Sequence, residues 1–577
     1  MKHALFFAML LVCSTGCQAL QTADDFFNAA MACKQKGNAD KAISFFQKAL
    51  ALNPRHFSTN FHLGCEYYYR GLYDNAITHY EKAIAANPNS ARAHFNLGVI
   101  LDKHKGREKE AYAHFTKAIA CDANYAKAYF HCGKILEQLG NAEYAATNYR
   151  HAIQAQEDYI DAYAALAKIL RDREECEEAI ELLEKAVTLQ PNNVHLLFDL
   201  GFCANMIGQS EKAITAYKKI VLLNSDHAQS FYNIGYTLKL RGDVDEAIEM
   251  YKLALKIRPD YADARYALAL AYLNKSSFLE GWKEYEDYLK KSNLNSEKLR
   301  RWLKTDQLAG KRILLREQGG LGDTMQFIRY AQELKQRGAY TILIVRKPLV
   351  KILSGCNYID KLIELGKGCP PFHEQATLMA LPAIFNSTEE TIPKNIPYLF
   401  PNESLTQQWK DILNSSEKRF KVGLCWTSNL HNDACRHPIA RRSISLDLLA
   451  PLAQFEDVEF YSLQKENNQV ENAQLNVTVF DKDFDDSHGS FMDTAALIKN
   501  LDLVITIDTA IAHLAGGLGI PVWLMLPFNV DWRWIVNRSD SPWYPAMRIF
   551  KQQEPMNWKP VVQNVVKALH ELVQATE

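Results

Sequence analysis

One alanine returns down the first half of this chain, at Ala42, Ala76, Ala111, Ala145, Ala179, Ala213 and Ala247. The spacings are 34, 35, 34, 34, 34 and 34 residues. A period of that length means that one supersecondary unit recurs, and each unit must bury its apolar face against the next. Twelve residues before most of these alanines stands a small residue: Ala30, Gly64, Gly98, Gly133, Ala167, Gly201 and Gly235, with a one-residue insertion in the third unit. Four residues after them stands a large apolar one: Phe46, Tyr80, Phe115, Tyr149, Leu183, Tyr217 and Tyr251. Small residues let two helices approach, and the large ones fill the space between them. Gly37, Gly71, Gly140, Gly208 and Gly242 fit the intervening turn, where a left-handed backbone costs glycine little. Pro54, Pro88, Pro191 and Pro259 close several units.

The pattern resembles the tetratricopeptide repeat, a helix–turn–helix unit. It predicts an α-solenoid over residues 23–289, with about seven repeats and a diverged eighth that starts near Ala262 and carries Gly281 in place of the alanine. A further column, Asn28, His62, Asn96, His131, Ala165, Asp199 and Asn233, is expected to face the concave surface. Amides and imidazoles there can hydrogen-bond the backbone of an extended ligand, although Asn is common at this position in such repeats generally. Solenoids usually bind protein, so the expectation is a protein or peptide in the groove.

The net charge of -1 gives no reason to expect a nucleic-acid partner or an anionic membrane. The 12 cysteines form no C-x-x-C pair and no zinc-type Cys/His set, so no metal is expected and the thiols read as those of a cytoplasmic protein. Residues 1–22 stand against that reading. A lysine precedes the apolar run Ala4–Val12, which has signal-peptide length. The run is short for a membrane span, and STGC ending at Cys17 is a poor lipoprotein box. Export or membrane anchoring and an apolar helix packed on the first repeat both remain open.

The period ends near KKSNLNSEKLRRW, so residues 290–310 are read as a linker. Beyond it short apolar runs alternate with helical patterns: RILLRE, a helix through 324–337, YTILIV, KLIEL and ATLMAL, then FKVGLCW, VEFYSL, VTVF, LVITID, PVWLML and MRIF. Such alternation predicts parallel sheets covered by helices on both faces. Two Rossmann-like lobes are expected, at 311–405 and 418–577, with ligands beyond the carboxyl ends of their strands.

Strand ends are therefore the places to look. In the first lobe Gly319, Gly320 and Gly322 form a tight loop before Asp323 and Thr324. Asp323 is placed either to cap a helix or to take a proton from a hydroxyl. In the second lobe Thr427, Ser428 and Asn429 follow a strand, with Arg436, Arg441, Arg442 and Ser443 beyond. These suit either a diphosphate or a solvated basic loop. Lys465 lies just past another strand, and Asp493 is expected at a helix N-cap with Thr494 in the first turn. After LVITI come Asp508 and Thr509, where a helix N-terminus can hold a phosphate. His513 lies one turn on, as a core histidine or a ligand group. The aromatic segments DWRW and SPWYP either pack the lobes together or stack on a base.

The segments EQGGLGDTMQFIRYA, VGLCWTSN, RRSISL, SLQK, LDLVITIDTAIAHLAGGLGIPVW, DWRW and SPWYP together resemble bacterial tetratricopeptide-repeat proteins with a C-terminal glycosyltransferase domain. That domain is similar to the ADP-heptose:lipopolysaccharide heptosyltransferase group, glycosyltransferase family nine, of GT-B fold. The architecture is also similar to that of eukaryotic protein O-GlcNAc transferase. The resemblance implies metal-independent, inverting transfer from a nucleotide-diphosphate sugar as co-substrate, with no further cofactor. Asp323 matches the group's general base. Asp508, Thr509, His513 and Ala515 match its donor-holding motif, Thr427 and Ser428 match its phosphate-contacting hydroxyls, and Lys465, Arg441 and Arg442 are looser matches. Two departures stand out. FHEQATLMALP carries His373 and Ala380 where related repeat proteins commonly have an acid and a serine, and WTSN replaces W-A-G-N. The rival reading is a protein-interaction scaffold whose transferase domain has lost turnover.

Overall fold

The computed structural model describes residues 22–290, 297–305, 307–414, 418–428, 441–465, 474–480 and 484–576. The N-terminal segment, Asn429 and Arg436 lie outside these residues. Sixteen helices in antiparallel pairs run from Ala23–Gln35 to Phe278–Lys290. The sequence pattern maps directly onto their packing. Gly37, Gly71, Gly140, Gly208 and Gly242 all have φ between +73° and +96°. At Gly64, Gly98, Gly133, Gly201 and Gly235 an added Cβ would sit 2.5–2.8 Å from the ring four residues after the repeat alanine. The alanine column itself is fully buried. Gly133→Ala places a methyl 2.5 Å from the Tyr149 ring, so chemical denaturation should show a loss of about 1–3 kcal/mol.

The chain forms two compact units that divide between Leu200 and Gly201, inside the helix Val194–Met206. The second unit therefore reaches back well before the expected linker at 290–310. Its core shows why. Ala269, Leu273, Phe278, Trp282, Tyr285 and Leu289 of the last repeat share one apolar cluster with Ile313, Leu315, Phe327 and Tyr330. Trp282 donates its indole N–H to the Ser387 carbonyl at 2.7 Å. Part of the expected linker is a helix, Glu297–Lys304, which buries Leu299 in the same cluster.

Beyond it lie two parallel sheets. The first has the order β3-β2-β1-β4, built from β1 Arg312–Arg316, β2 Tyr340–Val345, β3 Lys361–Glu364 and β4 Glu374–Thr377. The second has the order β6-β5-β7-β8-β9, from β5 Phe420–Cys425, β6 Val458–Ser462, β7 Leu503–Ile507, β8 Val522–Leu526 and β9 Met547–Lys551. β7 and β8 are buried throughout, as strands covered on both faces must be.

Three local expectations are corrected. ATLMAL holds only the end of β4, and the chain then turns through Leu378–Ala380 into a short helix, Leu381–Ile384, with Pro382 in its first turn. VTVF makes a single bridge, Tyr461 to Thr478, rather than a strand. The helix expected through 324–337 is two, Leu321–Phe327 and Tyr330–Gln336. Among the described residues no helix is long and apolar enough to cross a membrane.

Candidate functional site

Each sheet reverses its strand order at one point, and a crevice opens beyond the carboxyl ends of the strands there. In the first sheet that point lies between β1 and β4, and in the second between β5 and β7. The loop after β1 is Gly319–Gly320, with Gly319 at φ +82°. Gly320, not Asp323, occupies the cap position of the helix Leu321–Phe327. Asp323 stands at its third position and reaches back, its Oδ2 accepting from the Gly320 N–H at 2.5 Å. Gly322 leaves no room for a side chain, because a Cβ there would lie 2.6 Å from His513 Cδ2 and 3.4 Å from Ala510 Cα. The glycine–aspartate loop thus packs directly on the helix Ala510–Leu518 that follows β7.

Across the crevice Thr427, Ser428, Asp508 and Thr509 stand at the ends of β5 and β7, while Lys465 follows β6. The Thr427 N–H donates to Gln464 Oε1 at 2.9 Å, and Gln464 Nε2 donates to the Thr427 hydroxyl at 2.5 Å. The Ser428 N–H donates to Ser443 Oγ at 3.0 Å. Thr509 caps the helix Ala510–Leu518 by position only and makes no side-chain cap bond. Its hydroxyl lies 3.6 Å from Cys425 Sγ instead, so the first-turn amides are left uncapped by that side chain. Arg442 donates to Asp508 Oδ2 at 3.3 Å. Burial pushes the Asp508 carboxyl up, while Arg442 works against that shift. Arg441 is exposed. Lys465 is mostly exposed and pairs with Asp486 at 3.3 Å.

His513 is both core and site. Its Nδ1 shares a hydrogen bond with the Tyr544 hydroxyl at 2.9 Å, and its ring stacks on Trp534 with centroids 5.2 Å apart. Burial, reinforced by the charge of Arg533, pulls its pKa down to about 3. It is therefore neutral and serves as a hydrogen-bonding ring rather than a cation.

Sequence reading missed Arg533, which lies inside the DWRW segment. It is 7% exposed. It pairs with Asp323, donates to Asp531 Oδ1 at 2.7 Å and donates to Gln326 Oε1 at 2.8 Å. Burial opposes the charge on Asp531, yet Arg533 outweighs it and holds that carboxyl below its usual range. The available signal was a cation flanked by two tryptophans, a composition that suits a buried, ring-stacked arginine. The DWRW and SPWYP rings do pack: Trp532 lies across Trp282 at 5.5 Å and across Trp543 at 6.1 Å.

A cavity of about 230 Å³ is lined by Leu321 and Pro348 from the first lobe and by Lys465, Asp485, Thr494 and Ile511 from the second. Asp493 is not the helix cap expected. The helix Met492–Ile498 starts after Phe491, and buried Asp493 accepts from Trp409 Nε1 and from the Asp485 N–H. Thr494 donates to Asp485, a second acid that the sequence reading passed over. His373 lies at the other end of the sheet, where its Nδ1 accepts from the Arg312 N–H at the start of β1. The His373 half of that departure thus lies away from the carboxyl ends of the strands, whereas Ala380 stands in the turn whose Met379 packs on Gly319.

The concave-face column divides. Asn28 is exposed and Asn233 half-buried. His62 lies among Phe27, Phe46 and Phe61, and His131 among Phe95, Phe115 and Phe130. Burial lowers the pKa of His62 and brings that of His131 to about 4. Asn96 donates to the Tyr80 hydroxyl at 3.2 Å, and Asp199 pairs with Arg171 at 2.8 Å. These side chains space one helix pair from the next, so most of the column is committed to packing.

Models described as "TPR repeat" match residues 64–105 and 237–276, and models described as "Tetratricopeptide repeat" match 23–56, 126–159, 160–193 and 182–215. The helix pairs are tetratricopeptide repeats. The chain is similar to Protein FlbA of Caulobacter vibrioides, at 26% identity over 336 residues, 53% of this chain and 55% of that protein. It thus spans about half the length of that relative. Among solved structures it is similar to YrrB, described as a TPR protein with an unusual peptide-binding site, at 27% identity and a TM-score of 0.31, over 33% of this chain and 96% of that one. It is also similar to PilF of Pseudomonas aeruginosa, at 21% identity and a TM-score of 0.30, over 36% and 95%. Tetratricopeptide repeats generally bind protein or peptide partners.

Proposed function

We propose that the two-sheet part of the second unit, with lobes at 311–405 and 418–577, is an inverting, metal-independent glycosyltransferase of GT-B architecture. It moves a sugar from a nucleotide-diphosphate donor to an acceptor, a protein in our reading, recruited by the repeats. The observation that carries this reading is the packing of the glycine–aspartate loop against the Asp508–His513 segment, since it gathers a carboxylate and an uncapped helix start at one crevice. The donor diphosphate rests at Thr509 and the first-turn amides, with Thr427, Ser428 and Arg442 around it. These groups stabilise the charge that grows on the leaving nucleotide. The acceptor hydroxyl attacks the anomeric carbon and gives its proton to Asp323. A new carbon–oxygen bond forms as the bond to the diphosphate breaks, with inversion.

The second reading, a scaffold without turnover, has its own observation. Asp323 and Asp508 are each already paired with an arginine. Nucleoside diphosphates separate the two. A ligand that binds only the folded state at about 100 times its Kd adds about 2.7 kcal/mol of stability. At least one nucleoside diphosphate should raise the melting temperature by a corresponding amount. If none does, the scaffold stands. Hydrolysis screened across nucleotide sugars then names the donor.

A further inference from the structure

We infer that Arg533 is the positioning residue for Asp323, reaching it from the opposite lobe. This rests on the proposed role of Asp323 as the base. The two residues come from different sheets: Asp323 from the helix after β1, Arg533 from the loop after β8. The carboxylate is thus gripped once from each side. Oδ2 accepts from the Gly320 N–H of its own lobe, and Oδ1 accepts from Arg533 of the other. Two anchors fix the plane of a carboxylate, and each oxygen keeps acceptor capacity for an incoming hydroxyl.

The guanidinium is itself held on several sides. Its three nitrogens are used in three directions, toward Asp323, Asp531 and Gln326. Phe327 and Trp532 lie against it, with their ring centroids 5.5 and 4.8 Å from its central carbon. A lysine supplies the charge but not the fork. The loop is fixed in turn by Asn274, the last residue of a repeat helix. Its carbonyl accepts from the Val536 N–H at 3.0 Å, and its side-chain amide reaches the Val530 carbonyl at 3.5 Å. Asn274 is 1% exposed. Asp323 is therefore aligned only while the two lobes and the terminal repeat are seated together. Arg533 takes no part in the bonds that form and break.

The test uses the full chain with Arg533→Gln, Arg533→Lys, Asp323→Asn and the double variant Asp323→Asn/Arg533→Gln. Arg533→Gln should lower kcat about 10²-fold, the loss that small misplacements of a reacting group bring, with the donor KM unchanged. Arg533→Lys keeps a charge for the buried carboxylates and guards against a mere folding failure. It should melt near the parent yet recover little of the rate. Arg533→Gln should cost nothing further on top of Asp323→Asn, because a residue acting through another has no effect once that other is gone. The inference is overturned by a further loss in the double variant, by a full rate in Arg533→Lys, or by a change confined to KM. Turnover retained in Asp323→Asn alone would instead overturn the base assignment, a separate result from a failure of Arg533.

Discussion

Asp323→Asn should abolish most transfer, a fall of about 10²- to 10⁴-fold in kcat, while nucleotide-induced stabilisation persists. The size follows from the role. An amide of nearly the same shape keeps the Gly320 N–H contact but cannot take a proton. The proposed donor site lies on other residues, at the ends of β5 and β7, so donor binding should survive. The measurement pairs a turnover assay, with the donor found by the hydrolysis screen, with melting curves in nucleoside diphosphate. Loss of both activity and ligand stabilisation would mean that the substitution had disturbed the crevice. Undiminished turnover would remove Asp323 from the mechanism.

Trp282→Ala should destabilise the second unit by about 3–5 kcal/mol, the usual cost of removing a large buried aromatic. Trp282 is 3% exposed, donates to the Ser387 carbonyl and meets Trp532 and Tyr285 edge-on. Truncation opens a cavity where the last repeat, the first sheet and the DWRW loop converge, and it leaves a carbonyl without that donor. The effect should therefore reach strands far away in sequence. Hydrogen exchange read at the amides of β1 and β2 should show lost protection. If only the helices of residues 262–290 lose protection, the last repeat is an independent cap and the shared core is refuted.

The repeat was legible because period and residue size act locally. A glycine opposite an aromatic 16 or 17 residues on has one packing solution, and every turn glycine adopted the left-handed backbone expected of it. The strand ends were legible because buried parallel strands are continuous apolar runs, and ligands gather where such runs stop. Thr427, Asp508, Thr509 and the glycine–aspartate loop do stand just past such strands.

What the sequence determined by itself, then, is the solenoid, the alternating strands and the polar positions at their ends, all set by short-range periodicity. The tertiary structure alone decided the rest. It seated the terminal repeat in the core of the second unit, turned His62 and His131 into ring packing, and gave Asp323 its partner. That partner lies 210 residues away in the chain. No pattern in sequence encodes a salt bridge between two lobes, because it exists only after both sheets have formed and their helices have met at Gly322.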